Sequence, residues 1–235
     1  MLRRPFSIGG LRREGAACLI DILGRVVGAG TAWLDALKVG DHVDLIGPLG
    51  GGFTEPPAGH RALLVAGGIG LPPIRWLGEA LRNKNVECRA IYGAQSRDLM
   101  PVELASKIPD RPEFSMAMGK FSRNGILSIV TTDDGSAGMR GRVTEALIPV
   151  LANDPEPSRV QVYACGPEPM LKAVGSISAA HGARCEVAME RVMGCGMSTC
   201  QSCVVPVKDS RAEEGWRYAL CCREGPVFDA ATVLW

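Results

Sequence analysis

Near its C-terminal end the sequence sets Cys195, Cys200 and Cys203 apart by four and two residues, and a Cys221-Cys222 pair follows. Thiols at fixed short spacing have to converge, so no other stretch restricts the fold as tightly. Cys-x4-Cys-x2-Cys, with a fourth thiolate 17 or 18 residues on, suits a 2Fe-2S cluster up to the length of the final gap. The four-residue segment must wrap an iron edge with its N–H groups aimed at the sulfides. Gly194, Gly196 and the small Ser198 and Thr199 permit that approach. A structural zinc is the competing reading, but zinc sites usually carry two Cys-x2-Cys pairs and only one is present. The chain has nine cysteines, an odd number with five in the last fifth, which fits a metal site better than a disulfide framework.

Charge excludes several function classes. With 26 Lys+Arg against 25 Asp+Glu the formal net charge is +1, and no basic stripe offers itself to nucleic acid. At 46% hydrophobic and 22% charged residues the chain can bury a core. The longest charge-free apolar stretch, residues 62–74, is broken by glycines and prolines and falls short of the roughly 20 residues of a membrane span. Met1-Leu2-Arg3-Arg4-Pro5 leads into no apolar segment, so no signal peptide is expected and a cytoplasmic location is.

Residues 1 to about 55 carry short β-type runs, at 17–27 and 42–46, ahead of a Gly47-Pro48-Leu49-Gly50-Gly51-Gly52 loop, and read as part of a small barrel. From Arg61 the texture changes to alternation. Strands are expected at 61–66, 86–92, 114–118, 126–131, 159–164 and 184–189. Helices are expected at 72–83, 101–107, 143–151 and 167–180. This alternation implies a mostly parallel sheet with helices on both faces. Residues 190–235 show little helical pattern, with a strand at 218–220 leading into Cys221-Cys222.

Three further motifs carry chemistry. Gly67-Gly68-Ile69-Gly70 joins a buried strand to a helix, where glycines let a phosphate approach backbone amides. Prolines stand where a third glycine would complete a dinucleotide fingerprint, and nothing chooses between NADH and NADPH. Cys165-Gly166-Pro167-Glu168-Pro169-Met170 again follows a strand and opens a helix. Arg4-Pro5-Phe6-Ser7, with Gly30-Thr31 downstream, offers a guanidinium fork, an aromatic and a hydroxyl. His42, His60 and His181 are scattered, and no His/Asp/Ser constellation exists, so no catalytic side chain is expected.

The order of these motifs resembles the ferredoxin-reductase superfamily, and within it the family of electron-transfer subunits of class 1B dihydroorotate dehydrogenase. Cys222-Arg-Glu-Gly225-Pro226-Val227-Phe228 is similar to that family's cluster-closing tail. The resemblance implies an α/β protein with a partial FAD-binding β-barrel (1–57), a parallel α/β NAD-binding domain (60–182) and a small C-terminal 2Fe-2S domain (184–235). It implies that Arg4, Pro5, Phe6 and Ser7 hold FAD, with Leu23, Gly24 and Arg25 as a second stretch and Gly30 and Thr31 at the pyrophosphate. Gly67, Gly68 and Gly70, with Cys165, Gly166 and Pro167 beside the nicotinamide, would frame NAD(H). Cys195, Cys200, Cys203 and Cys222 would ligate the cluster. The implied partner is an FMN-containing dihydroorotate dehydrogenase catalytic subunit, in a heterotetramer with two of each subunit, with no nucleic acid or membrane involved.

Two departures accompany the resemblance. Gly24 stands where the family often has an aromatic residue. The flavin motif begins at residue 4, where the family places several barrel strands before it: either the start lies further upstream, the chain is trimmed, or the barrel is incomplete, and weaker FAD retention than in a chain extended upstream is expected. The competing functions are a ferredoxin–NAD(P) reductase, a hydrogenase-type diaphorase subunit, or a flavin-free scaffold that carries the cluster.

Overall fold

The computed structural model describes residues 4–235; Met1, Leu2 and Arg3, on which the expectation of no signal peptide partly rests, lie outside the described residues. The chain opens with an antiparallel hairpin of β1 (Ile8–Glu14) and β2 (Ala17–Ile22). Glu14 pairs with Ala17, leaving a two-residue turn in which Gly15 takes φ 59°, the left-handed conformation such tight hairpins require. Helix α1 (Ala29–Asp35) follows. Thr31 Oγ1 accepts from the Val27 and Gly28 amides at 2.9 and 3.2 Å, which caps the helix from within.

The apolar run then forms β3 (Arg61–Gly67), followed by α2 (Leu71–Asn83) and β4 (Cys88–Ala94). Next come α3 (Gly119–Arg123), β5 (Leu127–Thr132), the short β6 (Met139–Arg140) and α4 (Val143–Ala152). The chain continues through β7 (Val160–Cys165), α5 (Glu168–Ala180) and β8 (Arg184–Ala188). The C-terminal part adds the hairpin β9 (Val204–Lys208) and β10 (Trp216–Leu220), then β11 (Val227–Asp229).

Seven strands make one sheet in the order β11-β8-β7-β3-β4-β5-β6, parallel throughout except for β11 against β8. A strand buried on both faces reads as a continuous apolar run, and side chains alternate between two cores. Leu63, Val65, Ile91, Ile129 and Val162 face α4 and α5, and the C-terminal hairpin extends that core with Val205, Val207 and Ala219. Leu64, Tyr92, Val130 and Tyr163 face the opposite way, with Ile74 and Leu81 of α2 and Phe121 of α3.

Several expected elements are absent. Residues 101–107 form no helix: Pro101 and Pro109 bracket too few residues to nucleate one, and Leu104 bridges to Met118 instead. Residues 114–118 contribute isolated bridges, Ser115 to Ser128 among them, rather than a strand. Residues 42–46 are not a strand either, because no ladder partner lies beside them among the described residues. The described part of the expected barrel is therefore one hairpin, α1 and irregular chain up to β3.

Candidate functional site

In an open α/β sheet, ligands bind where successive connections leave a strand in opposite directions. Here β3 is that strand. The chain runs from β3 through β4, β5 and β6 on one side, then returns to β7 and β8 on the other. Both glycine-containing motifs sit at this point, Gly67 at the C-terminal end of β3 and Cys165 at that of β7.

The glycines there are of two kinds. A Cβ on Gly70 would fall on the Cys165 carbonyl and lie 2.7 Å from the Gly166 amide nitrogen. A Cβ on Gly67 would strike Met170 Sδ, and one on Gly166 would lie 2.7 Å from Met170 Cε. These three glycines interlock the two turns. Gly68 differs: it takes φ 51° and has open space on its Cβ side, while its carbonyl accepts from Tyr92 Oη at 3.3 Å. Pro72 and Pro73 in the first turn of α2 have no N–H, so fewer amides face the crevice than in an ordinary helix start. Burial, aided by the charge of Glu190, pushes the Cys165 thiol up to about 12, so it keeps its proton at neutral pH.

The β1–β2 hairpin, which the expected flavin residues flank, packs on this unit. The Arg75 guanidinium of α2 donates to the Gly9 carbonyl, and a Cβ on Gly9 would lie 2.9 Å from Pro72 Cβ. Arg4, Pro5, Phe6 and Ser7 are exposed chain ahead of β1. Arg4 lies over the buried Gly30, where a Cβ would come within 3.3 Å of its side chain. Phe6 Cε1 would be 3.2 Å from a Cβ on Gly24, so the aromatic edge occupies the space of a residue-24 side chain. Leu23 and Arg25 flank Gly24 on exposed chain. The structure thus joins Arg4 to Gly30 and Phe6 to Gly24, whereas Thr31 Oγ1 is engaged in capping α1.

Residues 47–54, whose role the sequence left open, form a strap. Thr54 donates twice to the Glu186 carboxylate, Oγ1 at 2.5 Å and N at 2.9 Å, and its carbonyl accepts from Tyr163 Oη at 2.9 Å. Phe53 meets the Tyr163 ring edge-on at 5.5 Å between centroids. Gly51 N donates to the Gly225 carbonyl at 2.6 Å, and a Cβ on Gly196 would be 3.5 Å from Leu49 Cδ1. One segment therefore touches the sheet, the C-terminal tail and the cysteine loop. Thr54→Val is expected to destabilise the protein by about 1–2 kcal/mol through the lost charge-assisted bond. Faster hydrogen exchange at the Gly51 amide would accompany it.

The cysteine loop already has the shape of a cradle. Gly196, Ser198 and Gln201 take φ 69°, 70° and 53°, and two non-glycine residues in that region mark a backbone held by its surroundings. Amides of Met197 and Cys200 donate to Cys195 Sγ at 3.4 and 3.3 Å, and the Cys222 amide to Cys203 Sγ at 3.4 Å. Among the described residues no three His, Cys, Asp or Glu side chains are placed to hold one ion. Amide-to-sulfur contacts link the four cysteines in two pairs, Cys195 with Cys200 and Cys203 with Cys222. Two thiolates on each of two irons is the division a 2Fe-2S cluster makes. Hydrogen bonds from Ser202, then from Cys195, hold the Cys200 thiol down to about 6. Burial pushes Cys203 up. The adjacent cysteines diverge: Cys222 Sγ lies 3.8 Å from Ser198 Oγ in the loop, while Cys221 Sγ donates to the Met189 carbonyl at 3.4 Å.

Residues 190–234 match the family described as the iron-sulfur cluster binding domain of dihydroorotate dehydrogenase B, and residues 64–176 match an oxidoreductase NAD-binding domain. The chain is 37% identical over 236 residues to the dihydroorotate dehydrogenase B (NAD(+)) electron transfer subunit of Geobacillus thermodenitrificans, spanning 100% of this chain and 80% of that protein. The chain belongs to the family of dihydroorotate dehydrogenase B electron transfer subunits. The subunit of the same name from Enterococcus faecalis is 35% identical over 236 residues, covering 100% of this chain and 81% of its own. Among solved structures, an NADH-dependent reduced ferredoxin-NADP oxidoreductase superposes with a TM-score of 0.76 at 25% identity, covering 100% of this chain and 75% of that one. No helix among the described residues is long and apolar enough to cross a membrane.

For an electron transfer subunit, some residues at the site carry no sequence signal. Glu186 and Tyr163 sit side by side in adjacent strands and anchor the strap, and each reads in sequence as one more strand residue. Arg191 is another such residue: it binds Glu168 through both carboxylate oxygens at 2.7 and 3.2 Å.

Proposed function

We propose that this chain passes electrons between NAD(H) and an FMN-containing dihydroorotate dehydrogenase catalytic subunit, by way of FAD and a 2Fe-2S cluster. The reading places it in the cytoplasm, in a heterotetramer with two copies of each subunit, serving pyrimidine synthesis. Its segments 1–57, 60–182 and 184–235 would carry the flavin, the nicotinamide nucleotide and the cluster. The observation that carries it is the two pairs of thiols, with amides aimed at their sulfurs, joined by one strap to the sheet with the glycine crevice.

When bound, the flavin and cluster supply the conversion between a two-electron hydride and single electrons, chemistry no side chain here provides. The chain's own residues bind and orient. Arg4 and Gly30 would hold the flavin pyrophosphate, with Phe6 and Ser7 toward the ring. Gly68, open on its Cβ side, would let the NAD(H) pyrophosphate approach, and the protonated Cys165 thiol would offer the nicotinamide a neutral surface. Cys195, Cys200, Cys203 and Cys222 are the proposed cluster ligands, with the Met197, Cys200 and Cys222 amides tuning their sulfurs.

The test mixes the purified chain with the catalytic subunit and follows dihydroorotate-dependent reduction of NAD. Turnover by the mixture alone, with flavin and cluster bands in the spectrum of the chain, is the expected result. A chain that reduces ferredoxin but gives no dihydroorotate turnover would move the function to the reductase reading. Met197 is 58% exposed on the cysteine loop, so the partner is expected to dock there. Met197→Glu should slow dihydroorotate–NAD turnover at least tenfold, the effect of about 1.4 kcal/mol. NADH oxidation by an artificial dye should stay intact.

A further inference from the structure

Arg191 stands between the two redox ends of the molecule. Its Nε donates to the carbonyl of Val204, the residue that follows Cys203, at 3.1 Å, and Nη1 donates to the Glu190 carbonyl at 2.9 Å. Its other contacts are with Glu168, the first residue of α5, three positions after Cys165. A planar fork held at this many points keeps its charge in one place. The two charges are not equally screened, for the Arg191 side chain is 21% exposed and that of Glu168 50%. Water therefore damps the carboxylate more than the guanidinium, which leaves the fixed guanidinium, bonded to the residue after Cys203, as the less screened charge of the pair. A less screened positive charge favours the addition of an electron to a centre beside it.

We infer that Arg191 is a tuning and positioning residue for the cluster, raising its readiness to accept an electron, and that Glu168 sets how much of that charge the cluster feels. The inference rests on the cluster reading proposed above. It gives the ion pair a role beyond tying α5 to the cysteine loop. A purely structural tie would make both partners' variants behave alike; a field effect makes them opposite.

The experiment is an anaerobic redox titration of the holoprotein with dithionite and mediators, reading the cluster by its visible spectrum and electron paramagnetic resonance. Arg191→Gln should disfavour cluster reduction about tenfold, a fall of about 59 mV for one electron. Glu168→Gln should favour reduction, by a smaller factor because its carboxylate is half in solvent. Arg191→Lys keeps the charge and should stay near the parent value. Shifts of the same sign in Arg191→Gln and Glu168→Gln, or no shift in either, would overturn the inference. Should Arg191→Gln lose its cluster, a fall in Glu168→Gln would still overturn it. A parent chain that takes up no cluster would overturn both this inference and the functional reading, whereas unmoved potentials in a loaded chain overturn this inference alone.

Discussion

Cys222→Ser is expected to abolish the visible absorption of the cluster, while Cys221→Ser keeps it. The two thiols are adjacent and both buried, at 5% and 0% exposure, so burial does not separate them. Direction does. Cys222 faces Ser198 in the cysteine loop and its amide reaches Cys203 Sγ, so its sulfur belongs to the concave side of the cradle. Cys221 points the other way, its Sγ donating to the Met189 carbonyl among the apolar residues under the C-terminal hairpin. Burial pushes that thiol up to about 11, as suits a small apolar side chain that never ionises. A serine at 221 can still reach the Met189 carbonyl, so the change should cost about 1–2 kcal/mol of stability and no iron. Iron and sulfide content, with a thermal melt of each variant, check both halves. The reverse pattern would assign the ligand to Cys221 and undo the reading of the whole tail.

What could be read in advance follows from how local each signal is. The runs that became β3 and β7 are largely apolar, buried on both faces and followed by turn residues, and the prolines at the starts of α2 and α5 mark true helix starts. The region 101–118 differs from expectation twice, for it holds neither the helix expected at 101–107 nor the strand expected at 114–118. Its prolines and the bridges from Leu104 and Ser115 hold it as irregular chain. Strand β9 was hidden because Val204–Lys208 contains Pro206, yet it pairs with β10 along its whole length. At the site, the cysteine spacing identified the loop, but spacing cannot say which sulfurs pair. That depends on backbone amides and on the left-handed residues Ser198 and Gln201. Contacts distant in sequence, such as Thr54 with Glu186, leave no periodic trace at all.

Gly68→Ala and Gly70→Ala are expected to fail in different ways, though the two residues share one turn. At Gly70 the backbone is ordinary, φ −72°, and any L-residue could adopt it. The obstacle is packing. A methyl group there would fall on the Cys165 carbonyl, a backbone atom that no rotamer change can move aside. Either α2 shifts away from β7 or the 165–167 turn does, so Gly70→Ala should cost about 3 kcal/mol or more and lower the melting temperature markedly. Weaker NADH binding would follow only because the crevice is deformed. At Gly68 the packing is open and the backbone is the constraint. Alanine at φ 51° costs about 1–2 kcal/mol, within what the fold can absorb. Its methyl group would project into the free space where the NAD(H) pyrophosphate is proposed to approach. Gly68→Ala should therefore melt close to the parent protein while binding NADH about tenfold more weakly, a loss of about 1.4 kcal/mol. Calorimetric NADH titration beside a thermal melt of both variants separates the cases. Should Gly68→Ala bind NADH as the parent does, the nucleotide does not approach over this residue, and Gly68 serves only the left-handed backbone of the turn.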